Sequence, residues 1–131
     1  LKKHPQEVVI ANRTESKALD LATLFAEQGN IKGVGLDYAH EAPFDLIING
    51  TSAGLSGRVP AISAGCLKPG GWTYDMMYSD EPTAFVRWGL AQGAAKALDG
   101  LGMLVEQAAE SFYLWRGVRP ETAPVIRLLR P

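Results

Sequence analysis

An abrupt junction near the start of the chain sets the strongest limit on its fold. Val8-Val9-Ile10-Ala11 is a short apolar run led by β-branched residues, as in a strand buried within a parallel sheet, and it breaks off into Asn12-Arg13-Thr14. A helical pattern starts at once with Glu15, Ser16, Lys17 and Ala18. A strand passing directly into a helix points to an α/β fold, a Rossmann-like parallel sheet with helices on both faces. In such doubly wound sheets the carboxyl end of the second strand lies beside the adenine ribose of a bound dinucleotide, and the residue there selects the cofactor. An acid would suit NAD. Neutral Asn12, followed by Arg13 and Thr14 at a helix N-terminus, would instead offer a 2′-phosphate a bidentate guanidinium, a hydroxyl and no opposing carboxylate. Lys17, one turn on, adds charge to the same end. This chemistry favours NADP, while an ordinary strand-turn-helix junction with solvated basic residues accounts for the tripeptide equally well.

The chain's 131 residues suffice for one domain with a core of ordinary size. Its formal charge of −1 argues against nucleic acid or an anionic membrane surface as a partner. No apolar stretch approaches the roughly 20 residues of a membrane span, and no signal-peptide pattern opens the chain, so a cytoplasmic location is expected. Cys66 is the single cysteine, which excludes an internal disulfide and disfavours a zinc site. A buried or incidental thiol is expected. Leu1-Lys2-Lys3-His4-Pro5 resembles the tail of a helix stopped by proline, so the chain is expected to begin inside an element, truncated at its N-terminal end.

Beyond the first strand, Ala18, Leu21, Ala22 and Phe25 recur at helical spacing, and Gly29-Asn30 supplies a stop. Val34 and Leu36 lie in a weak strand candidate. Phe44-Asp45-Leu46-Ile47-Ile48-Asn49 is a clear one, expected to be buried, and it runs into the turn-rich Gly50-Thr51-Ser52-Ala53-Gly54. A loop of that kind sits at the carboxyl edge of a sheet, where ligands bind. Residues 55–71 are rich in Gly, Pro and Ser, with a short helical turn expected around Ile62 to Gly65. Trp72 to Met76 forms the next strand, and Pro82 suits the first turn of a helix carrying Phe85, Trp88 and Gly89. Ala94 to Leu98 is a short last strand, after which Asp99 is placed to cap a long helix. In that helix Leu101, Leu104, Val105, Ala108, Phe112 and Trp115 form an apolar stripe, ended by Gly117. Gln107 falls roughly 110° from the stripe's centre, at its border, with Glu106 and Glu110 further out. A final helix from Pro120 to about Leu129 contributes Val125, Ile126 and Leu129.

Gly100-x-Gly102 after a strand has the outline of a dinucleotide fingerprint, but it lacks the third glycine and a ribose reader about 20 residues later, and it comes at the end of the strand series. It is not the pyrophosphate loop, and no other stretch supplies one. If Asn12 ends a second strand, that loop precedes Leu1. Taken singly, Tyr78 at a strand end and Gln107 on a helix shoulder are more commonly packing and solvated residues. Asp75 could act as a base, although a carboxylate at a strand end more often bonds to nearby backbone. His4 and His40 have no partners in sequence. Ser52 and Ser111 lack a nucleophile-elbow pattern.

Taken together, these blocks resemble the C-terminal, NADP-binding domain of the shikimate dehydrogenase family over nearly the full length. The matching stretches are Ala11-Asn12-Arg13-Thr14 with Lys17-Ala18, Asp45 to Asn49 with Thr51-Ser52-Ala53-Gly54, Tyr74-Asp75-Met76 with Tyr78, and Asp99-Gly100-Leu101-Gly102-Met103-Leu104 with Gln107-Ala108-Ala109. The last is the most specific. The resemblance implies that residues 1–131 form one NADP-binding domain, in which Asn12, Arg13, Thr14, Glu15, Ser16 and Lys17 hold the adenosine 2′-phosphate and Arg13 also covers the adenine. It further implies Thr51 as a cofactor contact, backbone groups of Met76 and Gly100 near the nicotinamide, and Tyr78 and Gln107 reaching the hydroxylated ring acid. The complete enzyme would reversibly reduce 3-dehydroshikimate to shikimate with NADPH, a step of aromatic amino-acid biosynthesis. The family's glycine-rich loop and its catalytic Lys and Asp have no counterpart in this sequence. The resemblance implies that they lie in a stretch upstream and in an N-terminal catalytic domain of the same protein, so this piece alone is expected to be inactive. No metal is implied. Alternatives are a quinate/shikimate dehydrogenase using NAD, which Arg13 after Asn12 disfavours, a non-catalytic ligand sensor on the same fold, and a methylenetetrahydrofolate dehydrogenase, which the block from Gly100 to Ala109 disfavours.

Overall fold

A computed structural model describes residues 3–38, 43–63 and 65–130. Leu1 and Lys2, the first two residues of the expected helix tail, and His40 lie outside the described residues. All strand pairs are parallel, as the α/β expectation requires, but the strands fall into two sheets. The chain divides correspondingly into two compact units, one including the first two strands and the segment Ala61–Cys66, the other Pro43–Pro60 and the chain from Leu67 onward.

In the first unit, β1 (Val8–Asn12) pairs in register with β2 (Ile31–Gly35), and α1 (Glu15–Leu24) connects them. The helix lies directly on β2. A β-carbon at Gly33 would overlap the backbone of Ala18, so the sheet needs glycine there for helix and strand to touch. Ala18 and Ala22 are the buried residues of α1. Leu21 is exposed, contrary to the expected stripe, because this close approach admits only small side chains. The helix also stops at Leu24, before Gly29-Asn30, and a 3-10 turn at Ala26–Gln28 fills the interval.

In the second unit, β3 (Phe44–Asn49), β4 (Leu67–Asp75) and β5 (Lys96–Leu98) form a sheet with β4 in the centre. The strand ending at Asp75 begins earlier than expected, running through Pro69-Gly70-Gly71 by way of an irregularity that shifts its register against β3. Such a bulge lets a strand absorb proline and glycine. Ile62 to Gly65 shows no helical turn among the described residues, whereas Ser52–Ser56 forms a 3-10 turn where a loop was expected. α2 (Ala84–Ala91) covers one face of the sheet, with Gly89 pressed onto the buried Thr73 and Phe85 fully inside. Pro82 precedes this helix instead of opening it; Thr83 is its cap, accepting the Val86 N–H. The opposite face carries Leu46, Ile48, Trp72 and Leu98 with roughly half of their surface exposed, so β3 is less buried than its composition suggests.

α3 (Leu101–Arg116) ends at Gly117 in the left-handed conformation, as expected of a C-cap glycine. Its buried residues are Leu101, Val105 and Ala109. The expected stripe therefore corrects by one position: Ala108 is exposed, and so are Phe112 and Trp115 beyond the buried half. α4 (Ala123–Leu129) begins three residues later than Pro120, and Val125 and Leu129 are exposed. No helix among the described residues is long and apolar enough to cross a membrane.

Candidate functional site

The first unit presents a cationic strand end. β1 finishes at Asn12, whose side-chain carbonyl accepts the Thr14 N–H at 2.9 Å and turns the chain sharply into α1. Thr14 occupies the N-cap position in extended conformation; its carbonyl accepts the Lys17 N–H at 3.1 Å, but its hydroxyl makes no capping bond and is open to an outside partner. Asn12, Arg13, Thr14, Glu15, Ser16 and Lys17 are all exposed. Among the described residues, neither Arg13 nor Lys17 is engaged in an ion pair. Two uncommitted cations beside the positive end of a ten-residue helix give this strand end a potential that favours an anion. Glu15 is the discordant member: its carboxylate would repel a phosphate, so its contribution can only be its backbone N–H.

The second unit gathers the other expected residues along the carboxyl ends of its strands. Thr51 is bound into the turn after β3, its N–H and hydroxyl both donating to Asn49 Oδ1, at 3.0 and 2.8 Å. The Met76 N–H donates to the Asn49 carbonyl at 2.9 Å, and the Gly100 N–H to the Met77 carbonyl at 2.9 Å. Gly100 is buried, and a β-carbon there would overlap the Met76 carbonyl. The backbones of Met76 and Gly100 are thus brought together, and only glycine permits it. Met76 and Tyr78 are exposed on this turn. Gln107 is exposed on α3, and with the buried side at Leu101, Val105 and Ala109 it lies roughly 160° from that side's centre, not at its border as expected, because the buried side is displaced from the expected stripe.

Three residues that sequence reasoning did not single out hold this edge together. Asn49 bridges β3 to β4, and Thr83 joins the start of α2 to Asp75. Arg130, at the end of α4, donates to the carboxylate of Asp99 and to the carbonyl of Ser79, fastening the chain's last helix beside the turn that carries Tyr78. Asp99 also accepts the Leu101 N–H at 3.2 Å, so its expected role at the start of α3 is met by an Asx-type contact just ahead of the cap position. A signal for Asn49 was present in its place at the end of an apolar strand. Thr83 and Arg130 carried none, since their partners lie 8 and 31 residues away. The Asp75 side chain bonds to nearby backbone, as its position suggested. Cys66 is partly buried, and burial pushes its thiol up, away from the reactive thiolate.

Residues 100–130 match the family described as Shikimate 5′-dehydrogenase C-terminal domain. Shikimate dehydrogenase (NADP(+)) of Alkalilimnicola ehrlichii is 62% identical over 127 residues, covering 97% of this chain and 47% of that protein. The crystal structure of an Ael1 enzyme from Pseudomonas putida superposes with a TM-score of 0.84 at 40% identity, covering 95% of this chain and 46% of that one. Shikimate 5-dehydrogenase from Thermus thermophilus, in complex with NADP(H) and shikimate, gives a TM-score of 0.76 at 34% identity, covering 95% of this chain and 45% of that one. The chain spans about half the length of the curated relatives it matches.

Proposed function

We propose that the chain, which is 62% identical to a shikimate dehydrogenase over nearly its whole length and matches that family's C-terminal domain at residues 100–130, is the NADP-binding part of an oxidoreductase interconverting 3-dehydroshikimate and shikimate. The observation that carries the cofactor reading is the strand end itself. Arg13 and Lys17 stand uncommitted beside an uncapped helix N-terminus, with neutral Asn12 where an NAD-selective site would hold an acid. Those donors suit a dianionic 2′-phosphate, with the Arg13 guanidinium binding it bidentately and its plane free to lie over the adenine. In the second unit, the backbone groups of Met76 and Gly100 are the polar edge offered to a nicotinamide amide, with Thr51 at the adjoining turn. The cofactor supplies the hydride when bound; the protein's part is to hold and orient. Tyr78 and Gln107 are exposed polar side chains suited to hydroxyl and carboxylate groups of a ring acid. Such contacts fix which carbon faces the nicotinamide, and alignment of this sort accounts for much of a hydride-transfer enzyme's rate.

The test uses the longer protein that carries this domain, assayed for shikimate oxidation with NADP and with NAD. Arg13→Asp is expected to weaken NADP about 100-fold while changing NAD by no more than a few-fold, since a lost charge-assisted pair costs about 1.5 to 3 kcal/mol. Equal losses for both cofactors would contradict the 2′-phosphate role. Absence of shikimate turnover in the unaltered protein would contradict the reaction.

A further inference from the structure

We propose that Asp75 is a positioning residue, whose buried carboxyl group holds the backbone of the turn from Met76 to Tyr78 and so sets the direction in which those two side chains are presented. Its side chain is fully buried, where a polar group without partners would be costly. It has three donors. Asn49 Nδ2 at 3.0 Å and the Met77 N–H at 3.1 Å both donate to Oδ1, and the Thr83 hydroxyl donates to Oδ2 at 2.6 Å. A carboxylate only accepts, so three converging donors match its chemistry.

Each donor comes from a different part of the unit: the end of β3, the turn itself and the cap of α2. Asn49 is in turn fixed by Thr51 and accepts the Met76 N–H on its carbonyl, while the Thr83 hydroxyl accepts the Val86 N–H. Met77 is therefore pinned at both backbone groups, its N–H by Asp75 and its carbonyl by Gly100. The residues flanking it are the exposed ones, Met76 at 44% and Tyr78 at 50%. A turn held through the backbone of Met76 and Met77, with the side chains of Met76 and Tyr78 exposed, is a device for aiming side chains. Asp75 lies beneath the surface and acts through Met77. The consequence for catalysis rests on the proposed role of Tyr78; the hold on the turn does not.

Amide hydrogen exchange on the full chain tests the hold. In Asp75→Ala the amides of Met77 and Gly100 are expected to exchange at least tenfold faster, while those of Thr73 and Tyr74 within β4 keep their rates. Thr83→Val, which leaves the carboxyl group in place, gives a smaller acceleration at the same two amides, and Thr83→Ser restores them. Uniform acceleration through β4, or unchanged exchange at Met77 and Gly100, would overturn the proposal. In the longer protein, Thr83→Val is expected to raise the KM for shikimate about fivefold with Tyr78 present, but less than twofold in a Tyr78→Phe background. A fivefold rise in both backgrounds would show that the turn does not act through Tyr78. If the unaltered protein turns over no shikimate, the proposed reaction fails, and the exchange pattern alone decides the role of Asp75.

Discussion

Thr73 is buried beneath Gly89, and its hydroxyl has no hydrogen-bond partner among the described residues. A buried unpaired hydroxyl costs more than it returns, so Thr73→Val, which keeps the shape, is expected to stabilise the chain by about 1 kcal/mol. Urea denaturation measures this, and a loss of stability would reveal a bond to that hydroxyl. Gly100 shows the opposite economy. Its lack of a side chain hinted at a phosphate loop in the sequence, but the Met76 carbonyl occupies the space a β-carbon would take. Arg13 and Lys17 were legible as a candidate site because charge beside a strand end is written in local order. Asn49 was marked only by its place at the end of an apolar strand, and Thr83 and Arg130 not at all, because hydrogen bonds between distant side chains leave no periodic trace. Asp75 was visible as a carboxylate at a strand end, yet its three donors came into view only with the fold.

α3 and α4 illustrate how much of an element depends on what lies beside it. Helical spacing located α3 and Gly117 marked its end, but the direction of its buried side shifted from Ala108 to Ala109 because the contacts follow the residues that meet neighbours. Arg119, between the two helices, donates to Glu106 at 2.9 Å and also to Glu110, while Thr122, just ahead of α4, donates to Glu106 at 2.6 Å. The Thr122 hydroxyl, and then the Arg119 guanidinium, hold Glu106 below the usual carboxylate range. A depressed folded-state value means that the tether contributes above the unfolded glutamate value of about 4.3 and is lost as pH falls through the lower, folded one. Side-chain NMR of Glu106 is therefore expected to titrate below about pH 4.3, with release of Thr122 following the same curve. Coincidence with an ordinary glutamate would mean that α4 is not tied there. The group is solvent-exposed, so the effect concerns local attachment and contributes little to global stability.

On the proposed reading, the groups that would meet a dinucleotide's adenosine and its nicotinamide fall in different units, and the sequence holds no glycine-rich pyrophosphate cradle. Taken alone, these 131 residues are expected to bind NADP at least about 100-fold more weakly than the longer protein, because the backbone amides that meet the pyrophosphate supply much of the affinity in such folds. Calorimetry on both proteins checks this, and equal affinity would contradict it. The strands, their parallel α/β character and the cationic turn at Asn12-Arg13-Thr14 follow from local order alone: apolar runs, helical spacing and turn residues act over a few positions, and the chain cannot avoid expressing them. The division of the strands into two sheets, the half-exposed face at Leu46 and Ile48, the strand running through Pro69-Gly70-Gly71 and the Asn49–Asp75–Thr83 link were decided only in three dimensions. Burial and side-chain pairing are properties of which surfaces meet, and residues 26 positions apart meet only once the sheet has formed.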